Sequence, residues 1–590
     1  MDQTDQSLET ESKIDEKINE EIVPESNASK PDMENKDYLN QPEYTSEIYK
    51  LEVKNLPNSF GHGVFKKFLT SLNLKFVKIK LPTNGTFAFV TFKNEDARQE
   101  AFKILNDTKY KGKQLEAIYS KPSNDPVLAK RKNEASENQS SKNPKLQEEN
   151  LTLEEKVQKS STPLWNLPYE KQLEEKTNQI KQILRKCTFK MDKVNEGIFF
   201  WLQKQKTNYE GMCCKLLETV SSPVIDDYRN KCEFTIGYSS DETKPVIGFR
   251  LGEYKTGSNE VVEPYVCKNM PDQMRSLVKK FHEYIEQCEY KPVNVRTREG
   301  NWRQITVRTN QNKDLIVIVV FDQRDLNDDQ IAKEKSQLVE FFKKYLNSEE
   351  LKLKGLLFNL NTNRTGISKM DNLDILLGDD CLYEELLGLK FRISPLAFFQ
   401  ANTKAAEVLY RKIGDISELG ENTILLDICC GTGTIGLTLA KRCKQVIGVE
   451  IIQEAIEDAK INAKLNNIEN VEYHCGKAED VLPNILKRFG KDDKIIAIVD
   501  PPRAGLHTKV VQALRRLDNL KSLVYVSCNP ELAMQNFVDF ARQQSKNYWN
   551  QAFVPIKAIA VDMFPHTSHC ELILYMTRYS NDLITNQPSC

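Results

Sequence analysis

The chain has 590 residues, with 83 Lys and Arg against 84 Asp and Glu for a net charge of -1, and 14 cysteines. At roughly 150 residues per domain it is too long for one core and holds three or four units. No apolar run reaches the roughly 18 residues of a membrane span and no signal-peptide region opens the chain, so a soluble protein of the cytoplasm, the nucleus or both is expected. No Cys-x-x-Cys pair occurs. This argues against a zinc ribbon or iron-sulfur site, so no metal is expected, and scattered free thiols fit a reducing compartment.

Residues 1–45 hold 13 acidic and 4 basic side chains with little to bury, the composition of a disordered acidic tail. Removing that tail leaves the remainder net basic, which permits a polyanionic partner. Residues 46–122 then alternate as strand, helix, strand, strand, helix, strand through YKLEVKNL, VFKKFLTSL, KFVKIKL, TFAFVTF, DARQEAFKILN and QLEAIYS. The polar stretch 123–160 reads as a linker. Residues 161–393 open with a helix, YEKQLEEKTNQIKQILRK, and continue through CEFTIGY, VIGFRLG, WRQITVRT and KDLIVIVVF, the pattern of an α+β domain. In 394–580 the strands TILLDIC, QVIGVE, VEYHC, IIAIVD, SLVYVSC and ELILYM alternate with helical segments, which predicts a parallel, doubly wound Rossmann-like sheet.

The chemistry concentrates in that last part. In Asp427-Ile428-Cys429-Cys430-Gly431-Thr432-Gly433-Thr434 a strand ends in a Gly-x-Gly turn, and Glu450 closes the next strand about 20 residues on. Such a turn lets the backbone approach a ligand while the acid binds a ribose hydroxyl pair. Ile435-Gly436 replaces the third glycine of a dinucleotide loop, which favours S-adenosylmethionine; a bare structural turn is the alternative. The fourth strand ends Asp500-Pro501-Pro502-Arg503, stiffening a loop at the same sheet edge. The fifth ends Ser527-Cys528-Asn529-Pro530, where Pro530 cannot extend a ladder and the cysteine stands outside the apolar run. A cysteine that merely packs would lie inside it.

Phe399-Gln400-Ala401-Asn402, the Gly-x-Gly loop, Asp500 to Arg503, Ser527 to Pro530 and His569-Cys570-Glu571 occur in order across roughly 180 residues. Together they resemble the RNA 5-methyluridine methyltransferases. YRNKCEF at 228–234 and WRQITVRT at 302–309 resemble that family's central RNA-contacting domain. Cofactor contacts at Gln400, Cys429, Thr434, Glu450 and Asp500, with S-adenosylmethionine as cofactor, are implied by the resemblance. Relatives carry an aromatic residue at the position of Cys429. An N-terminal RNA-recognition domain ahead of the enzyme resembles the animal tRNA branch, and the absence of the cysteine cluster of some ribosomal-RNA members points the same way. The implied partner is tRNA and the implied target is its T-loop uridine.

Carbon 5 of uracil is a poor nucleophile, but a thiolate adding to carbon 6 makes it electron-rich, which gives Cys528 the role of nucleophile. A base must then remove the carbon-5 proton. His569 and Glu571, two apart on a strand, share a face that Cys570 does not. The resemblance makes Glu571 the base, and the residues alone leave His569 open. Enzymes making 5-methylcytosine place a second cysteine where this chain has Pro501-Pro502. An RNA-binding or tRNA-folding protein with an inactive methyltransferase domain is the alternative of another class. Residues 85–92, GTFAFVTF, resemble the central strand of an RNA-recognition domain, which puts Phe87 and Phe89 at its stacking positions. Glu52 stands where a third aromatic is usual, and Gly85-Thr86 replace a basic residue and glycine.

Overall fold

The structure is a computed structural model that describes residues 49–57, 61–81, 87–110, 112–120, 151–241, 243–251, 260–294, 297, 299–362, 373–580 and 582–585. The expected tail at 1–45, the expected linker up to residue 150, and Gly85-Thr86 lie outside the described residues. Two compact units result, Met1–Leu146 and Gln147–Cys590.

In the first unit an antiparallel sheet runs in the order Phe76–Lys80, Ala88–Phe92, Lys50–Lys54, Glu116–Tyr119. Alternation points Leu51, Val53, Ala88 and Val90 at helices His62–Ser71 and Glu95–Asn106, where they bury against Phe65, Leu69, Ala101 and Leu105. The other face therefore carries Glu52, in register with Phe89. The Phe87 and Phe89 rings lie edge to face at 5.6 Å, and Lys50 Nζ sits 4.4 Å from the Phe89 ring centre.

The second unit starts earlier than its composition suggests. The polar residues before 160 contain a helix, Leu153–Ser161, opened by a capping box between Thr152 and Glu155. Its Val157 is buried with Val262 and Cys267, and Gln158 Nε2 donates to the Val266 carbonyl at 3.1 Å. The linker thus ends before the residue-160 boundary, because one apolar residue per turn is enough when a partner surface exists. Beyond it lies a 24-residue helix, Tyr169–Asp192.

The central sheet has seven strands in the order Val261–Val262, Pro245–Arg250, Lys231–Tyr238, Trp302–Thr309, Leu315–Asp322, Leu353–Asn361, Leu373–Gly378. Helices Asp272–Gln287 and Asp328–Phe342 cover it over a core that includes Phe234, Phe281, Trp302, Phe321 and Phe342.

The catalytic sheet has eight strands in the order Val471–Cys475, Gln445–Glu450, Thr423–Ile428, Lys494–Val499, Leu520–Ser527, Glu571–Arg578, Phe553–Val561, Lys215–Val220. The first five are parallel, as expected. Glu571–Arg578, read from sequence as one more parallel strand, instead runs antiparallel to both neighbours. Only nine residues separate it from Phe553–Val561, too few for the dozen or more of a parallel crossover. Lys215–Val220, from the segment assigned to the central domain, completes the sheet beside Phe553–Val561. Ile180, Leu184, Trp201 and Cys213 likewise bury in the catalytic core.

A fragment starting at Gln147 should keep the melting transition of the larger unit. One starting at Ser160 loses the burial of Val157, worth about 1.5–3 kcal/mol, and should melt a few degrees lower by calorimetry. Equal melting temperatures for the two fragments would show that the first helix contributes nothing.

Candidate active site

The strand order reverses between Thr423–Ile428 and its two neighbours, and a crevice opens at the carboxyl ends there. A cleft of about 2010 Å³ occupies it and is lined by Gln400, Cys429, Thr434, Glu450, Asp500, Cys528, His569 and Glu571 among others. The structure thus brings together every catalytic and cofactor residue read from the sequence. Phe87 and Phe89 belong to the other unit.

The cofactor side is built from the end of Thr423–Ile428. Cys429 (φ 65), Gly431 (φ 54) and Gly433 (φ 78) turn the chain through the left-handed region. At Gly433 a Cβ would fall 2.6 Å from Tyr473 Oη, so glycine is required there on two counts. Asp427 is buried beneath the loop, where its Oδ2 accepts from the Gly436 N–H at 2.8 Å, and burial pushes its carboxyl up to about 7. Glu450 Oε2 accepts from the Gly431 N–H at 3.1 Å, and its Oε1 accepts from the Ile451 and Ile452 N–H groups at 2.8 and 3.1 Å. Three backbone donors fix this carboxylate at the cleft wall. Thr434 shares a hydroxyl contact of 3.0 Å with Tyr410, and Gln400 Nε2 reaches Asp500 Oδ2 at 3.5 Å. Thr432 Oγ1, buried in the cleft wall, has no partner among the described residues. A glycine loop, a fixed carboxylate and an unused hydroxyl fit an adenosine-bearing ligand.

On the reacting side, Leu520–Ser527 ends one residue before Cys528, and helix Pro530–Ala541 begins two residues after it. Asn529 caps that helix, its Oδ1 accepting from the Leu532 N–H at 3.1 Å, and Pro530 takes the first turn. Ser-Cys-Asn-Pro is therefore a strand end and a helix start with the thiol between them. Cys528 is half-buried. Burial, Glu571 and Asp500 push its thiol up to about 11 against the opposing pull of Arg503. Asp500 follows Lys494–Val499, and burial pushes it up to about 7, helped by Asp427. Glu571 opens the antiparallel strand, so its side chain arrives at the edge where the parallel strands end. Burial and then Asp500 hold it well above the usual carboxylate range.

His569 precedes the strand rather than lying on it, yet lines the same cleft at an exposed position. Partial desolvation of its ring, with the nearby charges of Arg503, Lys176 and Arg229, holds it below its ordinary value. Cys570 turns into the core, its Sγ 3.4 Å from the Val561 carbonyl.

Three positioning features escaped the sequence reading. Asn536 pins the Asp-Pro-Pro-Arg loop: its Oδ1 accepts from the Leu506 N–H at 2.6 Å and its Nδ2 donates back to the Leu506 carbonyl at 3.0 Å. Phe398, one residue before the Phe399 motif, is 66% exposed in the cleft, whereas Phe399 is core. The turn ahead of Glu571 is gripped by Lys176, whose Nζ meets Asp562 Oδ1 at 2.6 Å and the Phe564 carbonyl at 3.0 Å with both side chains buried. Periodicity marked Lys176 only as a helix residue.

A sequence profile for tRNA (uracil-5-)-methyltransferases matches residues 226–579, and one for the RNA recognition motif matches residues 51–116. The chain is 39% identical over 545 residues to tRNA (uracil-5-)-methyltransferase homolog A of Homo sapiens, covering 92% of this chain and 84% of that one. Homolog B of Homo sapiens is 37% identical over 420 residues, covering 71% and 82%. The crystal structure of Pyrococcus abyssi tRNA (uracil-54, C5)-methyltransferase in complex with S-adenosyl-L-homocysteine superposes with a TM-score of 0.51 at 26% identity, over 70% of this chain and 85% of that one.

A doubly wound sheet with this cleft at its switch point makes the protein an S-adenosylmethionine-dependent methyltransferase that carries an N-terminal RNA-recognition domain. The chain belongs to the tRNA (uracil-5-)-methyltransferase family.

Glu450→Gln keeps the size of the side chain but leaves one oxygen to accept, and should weaken S-adenosylmethionine binding at least tenfold by calorimetry, given about 1.5–3 kcal/mol per charge-assisted bond. Unchanged affinity would place the pocket elsewhere. Because Cys528 is held as a thiol, its alkylation by iodoacetamide, mapped by mass spectrometry, should rise about tenfold per pH unit between about pH 7 and 10. A plateau already at pH 7 would show an activated thiolate instead.

Proposed function

We propose that the protein methylates carbon 5 of the T-loop uridine of tRNA through a covalent adduct on Cys528, with Glu571 as the base that releases it. The observation that carries this reading is the half-buried Cys528 thiol facing the same cleft as the buried Glu571 carboxyl group and the half-buried Asp500. The uracil-54, C5 specificity in the name of the Pyrococcus protein supports the choice of position.

S-adenosylmethionine, held by Glu450, Thr434, Gln400, Asp500 and the backbone at Cys429, supplies an electrophilic methyl group when bound. The target base leaves its stack to reach the cleft, at an unstacking cost of a few kcal/mol. Cys528 gives its proton to water as its sulfur bonds to carbon 6, and the ring's electron pair shifts to carbon 5, which can then accept the methyl group. Glu571 then takes the proton left on carbon 5, the carbon 6–sulfur bond breaks, and the thiolate departs. Its raised affinity for protons suits Glu571 to this step, because a carboxylate at its ordinary value is a weak base toward carbon. That elevation comes from burial beside Asp500. His569 lines the same cleft at an exposed position and is the competing candidate for this step.

Phe87 and Phe89 offer two rings for base stacking in the RNA-recognition domain. Glu52, opposite Phe89, weakens that face for a polyanion, so this domain assists capture rather than chemistry.

The two catalytic substitutions should fail differently. Incubated with tRNA and methyl-labelled S-adenosylmethionine and then denatured, Glu571→Gln should accumulate a labelled protein–RNA conjugate, because the methylated ring cannot be released. Cys528→Ala should bind tRNA and form none. If His569→Gln traps the conjugate while Glu571→Gln turns over normally, the base is His569.

A further inference from the structure

One buried cation in the cleft wall is not used by the mechanism above. Arg308 lies on the central strand Trp302–Thr309, is 2% exposed, and lines the cleft. Its Nη2 donates to the Ala397 carbonyl. Its Nε and Nη1 are buried with no partner, and among the described residues no carboxylate lies within ion-pair distance. Two other basic residues of this wall are paired: Lys231 with Glu233 at 3.1 Å, and Arg392 with Asp458 and Asp380. Burial pushes the Arg308 guanidinium down to about 10, and Asp458 offsets this only in part.

A buried guanidinium with two idle donors is unfavourable for the protein alone, since a buried charge is tolerated when paired and hydrogen-bonded. The missing partner must bear formal negative charge and several acceptor oxygens. The uracil ring is neutral and accepts through single carbonyl oxygens, whereas an RNA phosphate meets both demands. The placement agrees, because Ala397, to which Arg308 is tied, lies three residues before Gln400 and next to the exposed ring of Phe398.

We infer that Arg308 receives a phosphate of the RNA strand flanking the target uridine, and so fixes the register in which that nucleotide enters the cleft. This rests on the reading of tRNA as substrate. Arg308 is a positioning residue here, retained at the expense of the protein's own stability.

The test measures binding of unmodified tRNA to the full chain over a range of salt concentrations, binding of S-adenosylmethionine, and melting temperature. Arg308→Met should bind tRNA about tenfold more weakly, or worse, at low salt. The slope of log Kd against log salt should fall by about 0.7–0.9, the share of one phosphate. Cofactor affinity should be unchanged and the melting temperature equal or higher, which a structural role would not produce. Arg308→Lys keeps the charge but not the planar donors, and should lose affinity with little change of slope. Unchanged tRNA affinity and slope in Arg308→Met overturns the inference. Weaker cofactor binding with intact tRNA binding also overturns it, by assigning Arg308 to the cofactor carboxylate. If Arg308→Met does not fold, Arg308→Lys decides: weaker tRNA binding with normal cofactor affinity supports the inference, and unchanged binding overturns it. Wild-type protein is assayed for 5-methyluridine in parallel. Its absence would sink the proposed function, while the salt dependence of binding judges Arg308 separately.

Discussion

The ion pair between Lys176 and Asp562 holds the reacting edge of the catalytic sheet together. Neither side chain has access to water, so removing one partner leaves an uncompensated buried charge, a change that generally costs about 3–5 kcal/mol. The pair also organises its surroundings. Asp562 accepts from the Tyr169 hydroxyl at 3.0 Å, and that hydroxyl accepts in turn from the Ser222 N–H at 2.8 Å. Four residues after Asp562, the His566 N–H donates to Gln172 at 2.7 Å and its Nε2 meets Asp226 at 2.6 Å. Asn402 reaches the same turn through the Met563 carbonyl at 3.3 Å while capping the helix that follows Gln400. The residues before Glu571, the helix Tyr169–Asp192 and the loop bearing Gln400 are thus three sides of one polar knot. Catalytic geometry therefore depends on a helix that contributes nothing to the chemistry.

The cleft is acidic where it is buried. Asp427, Asp500 and Glu571 are each raised by desolvation, and the field of one acid adds to that of the next. For the folded chain this is a liability that grows as pH rises, because ionising carboxyls held above their unfolded values favours the unfolded state. The same arrangement holds the Glu571 carboxyl above its usual range and the Cys528 thiol in its protonated form. Stability has been traded for chemistry at one edge of one sheet.

Much of this was legible in the sequence because the residues concerned sit at strand ends, where apolar runs stop abruptly. Gly431, Asp500 and Cys528 each follow such a run, and the doubly wound order then places them at one edge. Two strands of the catalytic sheet were not legible. Phe553–Val561 carries Pro555, which demotes a strand pattern, and in the structure the register shifts there by a bulge between Pro555 and Lys557. Lys215–Val220 is a half-exposed edge strand with no apolar alternation, so nothing local distinguishes it from loop. The direction of Glu571–Arg578 depended on the first of these. The idle donors of Arg308 were invisible for another reason: a charge is unpaired only with respect to its neighbours in space.

The membership of Lys215–Val220 in the catalytic sheet has a consequence for biosynthesis. Among the described residues its one strand partner, Phe553–Val561, is made more than 300 residues later, after the central sheet has been produced. At about 5–20 residues per second this interval is of the order of tens of seconds. Throughout it, the apolar face of Tyr169–Asp192 and the cysteines that pack with it have no catalytic core to cover them. The nascent chain must carry this surface while the central domain folds beside it, which makes the segment between Tyr169 and Val220 the natural place for a chaperone to hold.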